Sequence, residues 1–292
     1  MEPAPPALSR RHEAGAQSAR GMLLTLLGEF VLPAEGPAEG PAEGPAGGPA
    51  DGGAWTSAVL AAFDRLGVAE KATRQALMRT SNAGWLKPDK VGRRTRWLLT
   101  PAARAMLTDG AMRIYSFGPA RDWDGQWVIV QARIPDSDRR ARHVVRTRLA
   151  WAGYGSLGPG LWISPHTERE REAVRVLTEA GVADGANVFV ARRTGLSGAH
   201  AMVAAAWDLP ALGAAYDEFV ADFRDPAPRD VLAGQLELVH AWRRFPALDP
   251  SLPRELLPAR WSGTEAARLF AKRHEQWQAG SRREWKRLNS EP

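Results

Sequence analysis

The chain has 292 residues, which is enough for about two or three domains, and its 44% hydrophobic and 25% charged residues are typical of a globular protein. It contains no cysteine, which excludes disulfides, thiol catalysis and thiolate metal sites. The net charge of +6 favours a polyanionic partner. The first residues lack a signal-peptide core, and the apolar run 22–32 is too short for a membrane span. We therefore expect a cytoplasmic protein that does not contact membranes.

The N-terminal region reads as two short helices separated by a spacer. Residues 1–17 are rich in proline, alanine and charge, which predicts a disordered tail. A first helix is predicted from Ser18 to Val31, and a second from about Thr56 to Leu66. Between them, residues 33–53 form an imperfect Gly-Pro-Ala-Glu repeat that cannot build a core, which predicts a flexible insert.

A third helix, predicted from Val68 to Gly84, has one face of small residues and one basic face. Ala76, Leu77 and Thr80 belong to the face expected to pack inward. The basic face is predicted to contact DNA bases, because Arg and Gln can pair with guanine and adenine edges in the major groove. Its candidate contact residues are Lys71, Arg74, Gln75 and Arg79.

A two-stranded ribbon follows this helix. Trp85 starts an extended segment, Gly92 and Arg93 mark the turn, and the return strand alternates up to Leu99. The ribbon is predicted to contact phosphates or the minor groove through Lys90, Arg93, Arg94 and Arg96. The order helix, helix, basic helix, basic-tipped hairpin, helix predicts a winged helix-turn-helix domain over residues 18–118. Because arginine is used heavily throughout the chain, a merely solvated basic surface is the alternative.

The middle of the chain changes to strand periodicity. A strand over Trp127–Ile134, a helix to Ala152, two short strands, a helix that ends before Gly181 and a closing strand give the order β-α-β-β-α-β. This order predicts a ferredoxin-like domain over residues 123–200. Residues 201–292 are predicted to form a mostly helical C-terminal domain, with the last helix spanning Thr264–Ala279. The predicted fold class is α+β.

Several motifs, taken together and in order, resemble one known family. They are LLTLLGEFVLP (23–33), RQALMRTSNAGWL (74–86), GRRTRWLLTP (92–101), RIYSFG (113–118), RTRLAWAGYGSLGPGLWISP (146–165), AWDLPAL (206–212) and LPRELLPARW (252–261). The chain is similar to the PaaX-type transcriptional repressors. The resemblance implies a homodimer that binds a palindromic operator in double-stranded DNA and is released by a small-molecule effector, an aryl-acyl thioester of coenzyme A. The insert at 33–53 is the main departure, and it should not disturb DNA reading.

The middle domain of that family is similar to CRISPR-associated nucleases, which suggests an alternative function. Asp136 follows the first strand of the ferredoxin-like unit, where those nucleases place a metal-binding aspartate. We weigh a metal-dependent nuclease against simple helix capping by residues 136–138 and favour capping, because no companion ligand is evident. The six histidines lack zinc-type spacing, and no dinucleotide or phosphate-loop motif is present. We therefore predict a protein that is not an enzyme and has no catalytic residue, metal or cofactor.

The twelve tryptophans are numerous for this length, and core packing explains most of them. Some aromatic and basic residues of the middle domain are the candidates for effector contact. They are Arg146, Trp151, Tyr154 and Trp162. A third possibility, a scaffold whose basic surface only aids solubility, stays open at this point.

Overall fold

The computed structural model describes residues 15–32, 53–115, 123–194, 198–225, 228 and 230–290, with backbone alone for 15–18. The disordered tail predicted for 1–17 therefore falls mostly outside the described residues, as does nearly all of the insert predicted for 33–53. The described chain consists of helices and two small sheets, as the α+β prediction requires.

The N-terminal elements alternate between helices and a three-stranded sheet. In chain order they are α1 (Gly15–Leu26) with a π-helical extension (Leu27–Val31), β1 (Ala54–Trp55), α2 (Thr56–Asp64), α3 (Glu70–Asn82), β2 (Leu86–Val91), β3 (Arg94–Leu99) and α4 (Pro101–Tyr115). The sheet has the antiparallel order β1-β3-β2. The Thr100 hydroxyl accepts a hydrogen bond from Ala103 N at 3.2 Å, so α4 has a side-chain N-cap.

The central elements have the predicted β-α-β-β-α-β order. They are β4 (Gln126–Ala132), α5 (Arg139–Trp151), β5 (Gly155–Gly158), β6 (Leu161–Ser164), α6 (Glu170–Glu179) and β7 (Ala186–Arg192). All pairings in this sheet are antiparallel and the strand order is β5-β6-β4-β7, which fits a ferredoxin-like unit. α5 begins where predicted, because Asp138 accepts a hydrogen bond from Ala141 N at 2.9 Å.

The remaining helices are α7 (Ala199–Ala206), α8 (Leu209–Phe223), α9 (Val231–Trp242), α10 (Phe245–Leu248) and α11 (Gly263–Ser290). The last helix is longer than the predicted Thr264–Ala279. Buried Trp277, Ser281, Trp285 and Leu288 continue one helical stripe beyond Gly280. Burial of that stripe outweighs the roughly 1 kcal/mol by which a glycine disfavours a helix interior.

The chain forms two compact units, and each of them is assembled from segments that are separated in the sequence. The first contains residues 1–117, 219–243 and 268–292, and the second contains 118–218 and 244–267. Residues 201–292, which the sequence predicted as one C-terminal domain, thus contribute to both units. In the first unit a single hydrophobic core joins α1, α2, α3 and the hairpin to Leu232 and Leu236 of α9 and to Trp285 and Leu288 of α11.

The second unit has a core on each face of its sheet. On one face Val128 and Val130 pack with Val145 and Leu149 of α5 and with residues of α6. On the other, a second core forms around Trp127. Among the described residues, no helix combines the length and the apolar character needed to cross a membrane.

Candidate nucleic-acid interface

One face of α3 is fixed in the core of the first unit. Ala76, Leu77 and Thr80 are buried, as the helical spacing predicted, and Thr73 is buried with them. The Thr80 hydroxyl donates to the Ala76 carbonyl at 2.7 Å, and the Thr73 hydroxyl is 3.3 Å from the Ala69 carbonyl. Both buried hydroxyls therefore find backbone acceptors four residues earlier in the chain, which lowers the free-energy cost of burying these polar side chains.

The predicted terminator ends α3. Gly84 has φ 77°, a left-handed conformation that favours glycine, and Trp85 N donates to the Thr80 carbonyl at 3.1 Å. The chain is thereby turned directly from the helix into β2. The guanidinium of Arg20, on α1, lies 5.2 Å from the centre of the Trp85 ring, which secures this junction.

The opposite face of α3 is exposed to solvent. It carries all four of the predicted base-contacting residues, Lys71, Arg74, Gln75 and Arg79, together with Met78 and Asn82. Their spacing along the helix places these side chains on consecutive turns of one side. Arg74 pairs with Glu70 at 2.7 Å in the protein alone, across an exposed i, i+4 contact. The structure thus brings the four predicted residues of this helix together on a single basic face.

The hairpin has the predicted turn. Gly92, with φ 62°, and Arg93 link β2 to β3 in a two-residue loop, so that Val91 pairs with Arg94. Lys90, Arg93 and Arg94 are exposed around this tip. Three of the four basic residues predicted for the ribbon are therefore presented to solvent beside the turn.

The fourth residue, Arg96, is engaged with the protein. Its Nε and Nη2 atoms donate to one carboxylate oxygen of Asp89, at 3.1 and 2.7 Å. Its guanidinium also lies 5.8 Å from the centre of the Trp55 ring. The Asp89 pairing can be read from the sequence, because a turn at Gly92 places residue 89 opposite residue 96. The Trp55 contact carries no such local signal.

Thr56 attaches the base of the hairpin to the start of α2. Its hydroxyl donates to the Thr95 carbonyl at 3.0 Å and accepts a hydrogen bond from the Trp97 indole nitrogen at 2.9 Å. Trp97 is buried in the same core as α3. The hairpin and α3 are consequently held in a fixed mutual geometry, which a composite binding surface requires.

A buried acidic residue of the first unit was missed by the sequence analysis. The Glu29 carboxylate accepts hydrogen bonds from the Tyr115 hydroxyl at 2.5 Å and the Gln235 amide at 3.0 Å, and both of its oxygens lie 3.2 Å from His274 Nε2. Burial alone would raise the pKa of Glu29, but the hydrogen bonds and the charge of His274 lower it below its ordinary value. This side chain ties α1, α4, α9 and α11 together.

The four predicted effector contacts lie in two different environments. Tyr154 and Trp162 are buried in the core of the second unit. The Tyr154 hydroxyl donates to the Arg169 carbonyl at 3.0 Å, and burial raises the pKa of that hydroxyl. Arg146 and Trp151 lie on the solvent side of α5, where the Trp151 side chain is 60% exposed.

The nuclease alternative rested on Asp136, and its surroundings do not favour it. The side chain is 99% exposed and pairs with Arg142 at 2.8 Å. Within the described part of the chain, no three His, Asp or Glu side chains gather to hold a metal ion. An exposed carboxylate paired with arginine, next to a helix whose cap is Asp138, is an ordinary arrangement at the start of a helix.

Comparison with known proteins assigns the class. Residues 44–103 match the model described as PaaX-like protein, residues 120–203 the PaaX protein central Cas2-like domain, and residues 207–287 the PaaX-like protein C-terminal domain. These three matches, in this order, define a protein with a PaaX-like N-terminal region, a Cas2-like centre and a PaaX-like C-terminal domain.

A named relative narrows this class to a family. The chain is 34% identical over 230 residues to the transcriptional repressor PaaX of Escherichia coli (strain K12), which covers 74% of this chain and 71% of the relative. The chain belongs to the PaaX family, which confirms the resemblance found in its motifs. An uncharacterized protein from Mycobacterium tuberculosis has a solved structure with a TM-score of 0.60 and 23% identity, covering 92% of this chain and 98% of that one. This second likeness shows a shared fold.

Proposed function

We propose that the chain is a DNA-binding transcriptional repressor in which α2, α3 and the β2–β3 hairpin form a winged helix-turn-helix. One observation carries the proposal: α3 is locked into the core by one face and presents Lys71, Arg74, Gln75 and Arg79 on the other. A rigid helix with exposed Arg and Gln side chains suits major-groove reading. The Escherichia coli relative, which bears the name of a transcriptional repressor and not of an enzyme, supports the same conclusion.

The proposal divides the basic residues by role. Arg74, Gln75 and Arg79 contact base edges, with Lys71 beside them. Lys90, Arg93 and Arg94 contact phosphates or the minor groove and fix the register of the protein on the duplex. Arg96, which is bound to Asp89, instead sets the shape of the hairpin.

The assembly and its control are also part of the proposal. The repressor binds a palindromic operator as a homodimer, because two copies related by a two-fold axis place two reading helices on equivalent half-sites. A small-molecule effector, for which an aryl-acyl thioester of coenzyme A is the first candidate, binds outside residues 18–118, in the regions 123–200 or 201–292. It releases the protein by binding the DNA-free state more tightly than the DNA-bound state.

Footprinting on the DNA upstream of the protein's own coding sequence tests the proposal. We expect a protected site with two-fold symmetry, and we expect protection to fade when the correct thioester is added. The double variant Arg74→Ala, Arg79→Ala should lose the site, while the double variant Arg139→Ala, Arg146→Ala, which removes the same charge from exposed positions of α5, should retain it. A scaffold protein would protect nothing. Cleavage that requires Mg²⁺ and Asp136 would instead support a nuclease.

A further inference from the structure

The last three turns of α11 carry a cluster of positive charge that the proposed winged helix-turn-helix does not use. Arg282, Arg283 and Lys286 are exposed in this segment. Within residues 279–290, Glu284 is the one acidic residue of the sequence. It accepts hydrogen bonds from Arg287, on its own helix, and from Arg65. These contacts lower the pKa of Glu284 to about 2, so its charge is already compensated at neutral pH.

This segment runs beside α2 in the opposite direction. Arg65, directly after the end of α2, bonds to Glu284 at 2.5 Å. Trp55 N, directly before the start of α2, donates to the Asn289 side chain at 2.9 Å, and that side chain donates to the Gly53 carbonyl at 2.9 Å. The far end of α11 therefore lies next to the N-terminus of α2.

Packing holds the two helices firmly in this arrangement. Trp285 and Leu288 are buried in the core that contains α2 and α3, and the rings of Trp285 and Phe30 lie 5.8 Å apart. The exposed charges of α11 consequently move as one body with the reading helix. In a helix-turn-helix, the helix that precedes the reading helix crosses the DNA backbone. A basic segment fastened alongside that helix is thus positioned next to phosphates.

We infer that the C-terminal end of α11 is a second phosphate-binding element, in which Arg283 and Lys286 grip the DNA backbone beside the strand segment that α2 crosses. The inference rests on the proposed function, because α2 approaches DNA only if α3 reads it. DNA phosphate is the partner that fits, since the contact is made by point charges on consecutive helical turns and needs no apolar anchor. Along the same segment of α11, the other exposed residues are basic or small, namely Ala279, Arg282, Arg287 and Ser290.

Salt-dependent binding to an operator duplex tests this inference. The double variant Arg283→Ala, Lys286→Ala should bind roughly tenfold more weakly at physiological salt and reduce the slope of log K against log salt by about two, since each phosphate contact contributes about 0.9. The weakening should be equal for operator and random duplexes, because phosphate contacts carry no sequence information.

The matched control is Arg268→Ala, Lys272→Ala, which removes two exposed positive charges from the same helix, roughly 20 Å away along its axis. Equal binding and equal slopes for the two double variants would overturn the inference. The charge reversal Lys286→Glu, at a single exposed site, repeats the test with less risk to folding. The double variant Arg93→Ala, Arg94→Ala is measured in the same binding assay. If it weakens duplex binding and the α11 variant does not, only the α11 inference fails. If the wild-type protein does not bind duplex DNA, the proposed function itself fails.

Discussion

Two arginine-bearing helices, α3 in the first unit and α5 in the second, differ in where their acidic neighbours lie. Beside α5, exposed carboxylates form ion pairs with arginines of the helix: Asp136 pairs with Arg142, and Glu179 pairs with Arg148. In the first unit, Asp89 and Glu284 instead bind arginines that fasten elements of the unit together, and Glu29 is buried. Lys71 of α3 and Lys90, Arg93 and Arg94 of the hairpin tip are exposed to solvent, while Arg74 of α3 is paired with Glu70. The number of arginines in a helix is therefore not enough to judge how much positive charge it presents, because neighbouring carboxylates neutralise part of it.

The buried acid of the first unit gives the largest expected effect. His274→Ala removes the imidazole that lies 3.2 Å from both oxygens of the buried Glu29 carboxylate, so the free energy of unfolding should fall by about 3 kcal/mol, as expected for a lost hydrogen bond to a buried charged group. Urea denaturation measures this change. The exposed pair of the second unit is the control: Glu179→Ala should cost less than about 1 kcal/mol. If both variants lost a similar free energy of unfolding, the buried acid Glu29 and the exposed acid Glu179 would not differ in their contribution to stability.

The same site predicts a dependence on pH. Because the folded state lowers the pKa of Glu29, its contribution to stability is complete above the unfolded value of about 4.3 and is lost as the pH falls through the folded value. Glu29→Gln should therefore reduce the loss of stability on acidification below about pH 4. An unchanged acid profile would mean that Glu29 does not titrate differently in the folded and unfolded states.

Substitutions on α3 and α5 should differ in their effect on operator affinity. Arg74→Ala and Arg79→Ala should each cost about 1–3 kcal/mol of operator affinity and relax the sequence preference, because the proposed function assigns each of them a contact to a base. Fluorescence anisotropy with operator and scrambled duplexes measures both effects. Arg139→Ala and Arg146→Ala on α5 should leave affinity within about twofold of wild type. An equal loss on both helices would show that overall charge, and not position, determines binding.

The hairpin tip should show a smaller and less specific effect. Arg93→Ala or Arg94→Ala should weaken binding to all duplexes about equally and reduce the salt slope by about one for each residue. A salt titration of duplex binding provides the measurement. Arg133→Ala, another exposed arginine, in the loop after β4, is the control. A change in base preference at the tip variants would instead assign them direct base contacts.

The smallest effect is expected for Glu70, a carboxylate that pairs with an arginine of α3 itself. Glu70 pairs with Arg74 in the exposed basic face, so it competes with DNA for that guanidinium and repels phosphates. Glu70→Gln should therefore tighten operator binding by less than about 1 kcal/mol, as expected for an exposed ion pair. Weaker binding by this variant would show that Glu70 orients Arg74 for base contact and does not compete with DNA.

Local features of this fold were predictable from the sequence and distant ones were not. The inward face of α3, its end at Gly84 and the turn at Gly92 follow from periodicity and glycine chemistry within a few residues. The Asp89–Arg96 pair also follows from the position of the turn. The partners of Glu29 could not be found in this way, because Gln235 and His274 lie 206 and 245 residues further along the chain.

The effector contacts predicted in the middle domain show a second limit of prediction from sequence. Tyr154 and Trp162 were chosen because aromatic side chains suit a ligand pocket, but the same side chains also suit a core, which is where they lie. Residue type alone does not separate the two outcomes. The length of α11 was underestimated for a related reason. The predicted helix ended at Ala279, while the contacts of Trp285 and Leu288 that extend it are made with residues far away in sequence.

The attachment of Asn289 to the residues before α2 has a consequence for synthesis of the protein. The N-terminal helices bury part of their apolar surface against α9 and α11, and the start of α2 is bonded to a residue from the last turn of α11. We expect this unit to reach its final form only after Asn289 has left the ribosome. Incomplete products of interrupted translation would then lack a finished reading surface and would not compete with intact copies for the same genomic sites.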